Sequence, residues 1–327
     1  MRDSTFDVMK GIGIIAMIIG HSHVPMVIRD FIFAWHMPLF FIVSGYFYKP
    51  SQIKEHVKKN FRSLVVPYLV TAILMFLLCL LKNCFHETNI INPLLGIVVA
   101  SGSKGLPMLG DYYVGAIWFL LALFWCRITY NIINQKIVQP LQGIVILSVA
   151  ILSTYIATKI YIPTNLLQGM SAMVFFYIGS LFRKRDLFHV QLNWLILAIG
   201  ILAMIATMTT SEDDYPMSMV RCYYGYYPVN VIASCFFTYF IYRFILYMGE
   251  NISSKILSLL GRLSMLILCI HIIDLNFDCW YNFNKVFLHL EGGFNKVVSL
   301  IWHLTFAILL SVFLAKNKVV RSIFGLK

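Results

Sequence analysis

The sequence predicts an all-α integral membrane protein with about ten transmembrane helices. Of its 327 residues, 60% are hydrophobic and only 12% are charged, whereas a soluble domain carries roughly 45–50% apolar and about 25% charged residues. The mean hydropathy is +0.79. Because a soluble globule of this size would lack the polar residues needed to cover its surface, the composition excludes a soluble enzyme, a coiled coil and a disordered chain.

Ten segments are long and apolar enough to cross a bilayer, which takes about 20 mostly apolar residues per helix. The first is the least hydrophobic, because His21, Ser22 and His23 interrupt it. We expect one membrane domain over residues 1–327, since no repeat or soluble segment divides the chain. In chain order the predicted spans are 9–28, 31–48, 64–82, 113–133, 141–159, 166–182, 190–209, 226–248, 256–275 and 297–315.

The charges of the connecting loops predict that both termini are cytoplasmic. With the N-terminus inside, all but seven of the 26 Lys and Arg residues fall in inner segments, as the positive-inside rule requires. An odd number of spans would mix the two groups of loops. The longer loops, 83–112, 210–225 and 276–296, are then outside. The net charge of +12 thus reflects orientation in the membrane, and no nucleic-acid partner is expected.

Two ionisable residues of the first span are predicted to lie on one helix face. Lys10 and His21 are 11 positions apart, which places them within roughly 20° of each other and roughly 16 Å apart along the axis. Asp7 lies three residues before Lys10, and Ser22 follows His21. Because ionisable groups inside a membrane are costly, they are candidates for a functional site. The alternative is a structural histidine bonded to a neighbouring helix.

His21 has the chemistry of a general base. The ordinary pKa of imidazole is about 6.5, so the neutral form is available near pH 7 and can take a proton from a hydroxyl that attacks a carbonyl. His36 begins the second span, and Pro38 interrupts that helix soon afterwards. We therefore expect His36 to line the same cavity as His21. His271 ends the ninth span, whereas His303 in the tenth is interpreted as structural.

A basic segment precedes the third span. Lys59 and Arg62 are three residues apart and share a helix face. One interpretation is topological charge that also attracts anionic lipid. The other is a clamp for phosphate at the cytoplasmic mouth, since the planar guanidinium suits phosphate. The residues by themselves favour the first interpretation.

Taken together, these motifs resemble the membrane acyltransferase-3 family, and within it the fucose 4-O-acetylase-like branch. The family has a motif of a basic residue and a histidine 11 positions later, a paired basic motif before the third span, a Trp-Phe-Leu signature and a late span that ends in histidine. The matching residues are Lys10 with His21, Lys59 with Arg62, Trp118-Phe119-Leu120, and the segment from Leu260 to His271. Many family members have Arg where this chain has Lys10 and Lys59, and Lys contacts phosphate only as a point charge.

The resemblance implies an integral-membrane O-acyltransferase that takes an acyl group, by default acetyl, from cytoplasmic acyl-CoA. The acceptor would be a hydroxyl of a sugar in a cell-surface or lipid-linked polysaccharide, and the location a bacterial cytoplasmic membrane. Neither a permanently bound cofactor nor a metal is expected, and membrane lipid is the surrounding partner. The expected site comprises catalytic His21 and His36, acyl-CoA-binding Lys10, Lys59 and Arg62, and supporting Asp7, Ser22, Trp118 and His271.

Two other functions are compatible with a bundle of membrane spans. A transporter or flippase would use buried His and Lys as a proton relay, but such proteins favour internal repeats and paired broken helices, and the sequence shows neither. A structural membrane protein would not need polar residues along one helix face.

Overall fold

The computed structural model describes residues 4–83, 91–103, 112–209, 216–249, 252–277 and 279–326. These residues are mainly helical, and their only strand-like pairing is an isolated bridge between Ser218 and Tyr223. The predicted all-α class is confirmed. Parts of the loops 83–112, 210–225 and 276–296, including the acidic residues 212–214, lie outside the described residues.

The helices follow one another with short connections. A π-helical turn, Phe61–Val65, joins α4 to α5. In chain order the helices are α1 (Ser4–Gly20), α2 (Met26–Phe33), α3 (His36–Tyr46), α4 (Ile53–Asn60), α5 (Val66–Asn83), α6 (Ile91–Val99), α7 (Trp118–Lys136), α8 (Gln139–Ala157), α9 (Leu166–Ser171), α10 (Met173–Lys184), α11 (Trp194–Thr209), α12 (Tyr227–Met248), α13 (Ile252–Phe277), α14 (Cys279–Phe287), α15 (Gly292–Leu314) and α16 (Lys318–Phe324).

The number of helices able to cross a membrane is seven, or eight when the pair Pro163–Ser171 and Met173–Lys184, bent by 48°, counts as one span. These counts cover the described residues and confirm a multi-pass membrane protein. Helix α11, with 16 residues, is apolar but shorter, and α1, with 17, carries Asp7 and Lys10. The count of ten spans and the cytoplasmic location of the termini stay predictions.

Helix α1 lies in the interior of the bundle, where it packs along α13. Two glycines allow the close approach: a Cβ atom on Gly261 would lie 1.7 Å from the Asp7 carbonyl oxygen, and one on Gly11 would lie 2.1 Å from that of Leu257. Gly11 contacts Gly261, and ten residues further along each helix His21 lies beside His271. The two helices are therefore parallel, and this packing brings the late histidine to the first one.

A second pair of glycines joins α3 to α10. A Cβ atom added to Gly45 would lie 1.9 Å from the carbonyl oxygen of Phe176, and one added to Gly179 would lie 2.0 Å from that of Ile42. Helix α3 also packs against α1, so that its first residue lies beside the end of α1. We call this end of the bundle the histidine end, and the opposite end, where α1 begins, the basic end.

Candidate active site

A cavity of about 480 Å³ lies at the histidine end, where α1, α3, α7, α13 and α15 meet. Its volume is within the range of ligand pockets, roughly 300–1,000 Å³. The structure brings four of the predicted site residues to its wall, namely His21, Ser22, His36 and Trp118. Residues separated by almost 100 positions in the sequence therefore meet at one site.

The backbone orients two of the imidazoles at this cavity. His21 donates from Nδ1 to the carbonyl oxygen of Met17 at 2.8 Å, and His36 donates from Nδ1 to that of Ile32 at 2.8 Å. A carbonyl oxygen only accepts hydrogen bonds, so each neutral ring keeps its lone pair on Nε2. The ring centroids are 6.3 Å apart. His21 and His36 can thus each offer a basic nitrogen at the same site.

Two further histidines and an aspartate continue this row. The ring of His271 lies 6.2 Å from that of His21 and 6.0 Å from that of His303. His303 donates from Nδ1 to Asp274 Oδ2 at 2.6 Å, and Asp274 Oδ1 accepts a hydrogen bond from Trp280 Nε1 at 2.7 Å. Neither nitrogen of the buried His271 has a hydrogen-bond partner among the described residues.

His303 is a site residue that the sequence did not reveal. It lines the cavity, and the buried carboxylate of Asp274 holds its Nδ1–H, which leaves the lone pair of the neutral ring on Nε2. The spacing of His271 and Asp274 placed those two on one helix, but nothing in the sequence indicates which later helix faces them. The interpretation of His303 as a structural residue therefore missed its position at the cavity.

The same residues form a potential metal-binding set. The donor atoms of His271, Asp274 and His303 lie within 4.8 Å of one another, and two histidines with one carboxylate are a ligand set of catalytic zinc sites. In the structure, however, both carboxylate oxygens of Asp274 already accept hydrogen bonds. The arrangement is that of a hydrogen-bonded His–Asp pair, and the expectation of no metal stays a prediction.

The predicted donor-binding residues lie toward the basic end. The Nζ atom of Lys10 is 2.6 Å from Oδ1 of Asp7, so this cation already has a partner. Lys59 and Arg62 are exposed, and Arg62 lies in the π-helical turn, where its Nη2 donates to Ser322 Oγ at 3.4 Å. Such turns are rare and are frequent at functional sites. Along α1, roughly 16 Å separate Lys10 from His21.

The sequence profile of the acyltransferase-3 family, described as an acyltransferase domain, matches residues 3–315. The chain belongs to this family. No curated protein and no solved structure matches the chain. The match includes every predicted site residue and both ends of the bundle.

As a member of the acyltransferase-3 family, the protein is a multi-pass membrane acyltransferase. An acyltransferase needs a base that activates the acceptor and a site that holds the donor. The described residues offer imidazole nitrogens at one end of the domain and cations toward the other. The imidazoles and the exposed cations thus lie in separate regions that α1 and α3 connect.

Proposed function

We propose that the protein is an O-acetyltransferase that moves the acetyl group of cytoplasmic acetyl-CoA to a sugar hydroxyl in a cell-surface or lipid-linked polysaccharide. The observation that carries the proposal is His21, whose Nε2 lone pair is available at the wall of a ligand-sized cavity. The resemblance to the fucose 4-O-acetylase-like branch supports a sugar acceptor. The acceptor would enter the cavity at the histidine end.

His21 would act as the general base. Its Nε2 takes the proton of the acceptor hydroxyl while the oxygen attacks the thioester carbonyl, and a tetrahedral intermediate forms. When this collapses, the C–S bond breaks and the imidazolium returns the proton to the leaving thiolate, so the products are the ester and coenzyme A. A positioned base typically contributes 10²–10⁴-fold to the rate.

The row of histidines would stabilise the positive charge that His21 acquires. His271 lies between His21 and His303, and Asp274 holds a carboxylate against His303 at the far end of the row. The carboxylate provides a compensating charge in a low-dielectric region, where such interactions are strong. Asp274 would therefore be a positioning residue, which acts on the reaction through the imidazoles.

Acetyl-CoA would enter from the basic end, which the positive-inside bias assigns to the cytoplasm. The exposed cations Lys59 and Arg62 would contact its phosphates. The pair of Lys10 and Asp7 would line the path that the pantetheine arm follows along α1. This arm must cover roughly 16 Å between the level of Lys10 and His21.

Analysis of the product tests the proposal. Purified protein in nanodiscs is incubated with acetyl-CoA and extracted surface glycans, and the glycans are examined by mass spectrometry. We expect acetyl esters on a sugar, together with release of coenzyme A. A transporter or flippase would relocate its substrate unchanged, so the absence of any ester, in glycans from cells with the gene as well as in vitro, would contradict the proposal.

A further inference from the structure

We propose that Arg127 forms an anion site within the membrane domain that binds the diphosphate of acyl-CoA. The inference rests on the proposed function and adds a residue to its donor site. Arg127 lies nine residues after the start of α7 and nine before its end. A charged side chain at the middle of a spanning helix is costly and marks a functional site by default.

Among the described residues, the guanidinium of Arg127 donates hydrogen bonds to neutral side chains only. Its Nε and Nη2 donate to Ser44 Oγ at 2.9 and 2.7 Å, and its Nη1 donates to Asn60 Oδ1 at 3.0 Å. A guanidinium has more N–H donors than these three bonds use. Arg127 can therefore bind a further acceptor without giving up its present contacts.

No carboxylate in the described segments forms an ion pair with Arg127. Lys10 and Arg29, by comparison, each lie against an aspartate. The acid of α4, Glu55, is exposed. Because charges largely shielded from water are normally paired, the positive charge of Arg127 at the middle of α7 indicates that the counter-charge comes from a ligand.

A buried histidine adds a second polar group beside the guanidinium. His56 lies one helical turn before Asn60 on α4, within electrostatic range of Arg127, and is 7% exposed. Its Nδ1 is hydrogen-bonded to Ser51 Oγ at 2.9 Å, whereas its Nε2 forms no hydrogen bond with the described residues. Asn60 donates to the His56 carbonyl oxygen at 2.8 Å. We call Ser44, His56, Asn60 and Arg127 the Arg127 cluster.

The Arg127 cluster lies at a depth suited to the donor. Ser44 follows His36 by eight residues on α3, which is roughly 12 Å along the helix toward the basic end. Asn60 is followed directly by the π-helical turn that carries Arg62. The cluster is thus placed between the exposed cations and the histidines, on the route by which a thioester would reach His21.

The structure favours the diphosphate of coenzyme A over a lipid headgroup. The neighbours His56 and Asn60 are buried inside the bundle, whereas headgroups remain at its surface. The planar guanidinium also matches phosphate oxygens in a two-bond arrangement. Arg127 itself retains partial exposure, so a ligand can reach it.

Calorimetry on the full-length protein in nanodiscs of zwitterionic lipid tests the inference. We expect Arg127→Gln to bind coenzyme A roughly 10- to 150-fold more weakly than wild type, the effect of losing a charge-assisted bond. Pantetheine, which lacks the phosphates, should bind both proteins with similar affinity. The control is Arg183→Gln, since Arg183 is exposed and, among the described residues, forms a hydrogen bond only with the Tyr46 carbonyl oxygen.

Equal affinity of folded Arg127→Gln and wild type for coenzyme A would overturn the inference. If Arg127→Gln does not fold, Arg127→Lys carries the test, because it keeps the charge without the fork and should show a smaller loss selective for coenzyme A over pantetheine. A loss confined to binding of phosphatidylglycerol, measured in nanodiscs containing that lipid, would assign Arg127 to lipid instead. If wild type binds no coenzyme A, the proposed function itself fails.

Discussion

Replacing Asp274 with Asn should strongly slow acyl transfer while the protein stays folded. Asn can still accept the bond from Trp280, but its amide cannot accept the Nδ1–H of His303. Loss of one charge-assisted hydrogen bond costs roughly 1.5–3 kcal/mol of stability. The substitution also removes the negative charge beside the row of imidazoles. We therefore expect the rate to fall on the order of 10²–10⁴-fold, as when a positioned proton-transfer group is lost.

The assay follows release of coenzyme A by purified protein with a saturating acceptor. The expected change is in kcat, with the KM for acetyl-CoA unchanged, because Asp274 is distant from the cations of the donor site. Asp186→Asn is a matched control: Asp186 forms the same kind of pair with His189 at 2.5 Å, but on an exposed loop away from the cavity. This variant should transfer at the wild-type rate.

Wild-type kcat in a folded Asp274→Asn protein would refute the role of this pair. A metal ion bound by His271, Asp274 and His303 is tested in the same assay. If His303 and Asp274 form a hydrogen-bonded pair and bind no metal, dialysis against EDTA should leave the wild-type rate unchanged. Loss of activity on chelation, with recovery on addition of zinc, would contradict the interpretation of a His–Asp pair.

Three further predictions concern the donor, the packing and the topology. Replacing Lys59 and Arg62 with Ala should raise the KM for acetyl-CoA about tenfold or more per lost charge-assisted bond; unchanged affinity would leave both residues with a topological role. Gly261→Ala should destabilise the protein by roughly 1–3 kcal/mol or more, seen as a lower Tm, whereas Gly293→Ala, which meets no atom within 4 Å, should not. An impermeant thiol reagent should label Ser51→Cys, in a background without the native cysteines, only from the cytoplasmic side; labelling from outside would contradict the predicted orientation.

Helical periodicity accounts for the part of the site that lies on single helices. The spacing of Lys10 and His21 predicted one helix face with a cation toward one end and an imidazole at the other. In the structure Lys10 lies within α1 and His21 directly follows its last residue. The sequence likewise predicted that His36 lines the same cavity as His21, and their rings are 6.3 Å apart at its wall. Positions along one helix follow from local geometry, so the sequence suffices to predict them.

Contacts between distant helices could not be predicted in this way. His271 reaches His21 because Gly11 and Gly261 let α1 and α13 pack closely, and His303 reaches the cavity because α15 packs against α13. Arg127 shows the same limit, because its contact with Ser44 depends on tertiary packing.

The most direct test of the account is acyl transfer by His21→Ala in nanodiscs, with coenzyme A release followed over time. We predict a rate on the order of 10²–10⁴-fold below wild type, with wild-type affinity for coenzyme A, because His21 lies at the opposite end of α1 from Lys10. His189→Ala, an exposed histidine away from the cavity, serves as the control. Near-wild-type turnover of His21→Ala, with loss of turnover in His36→Ala or His303→Ala, would contradict the assignment of the base.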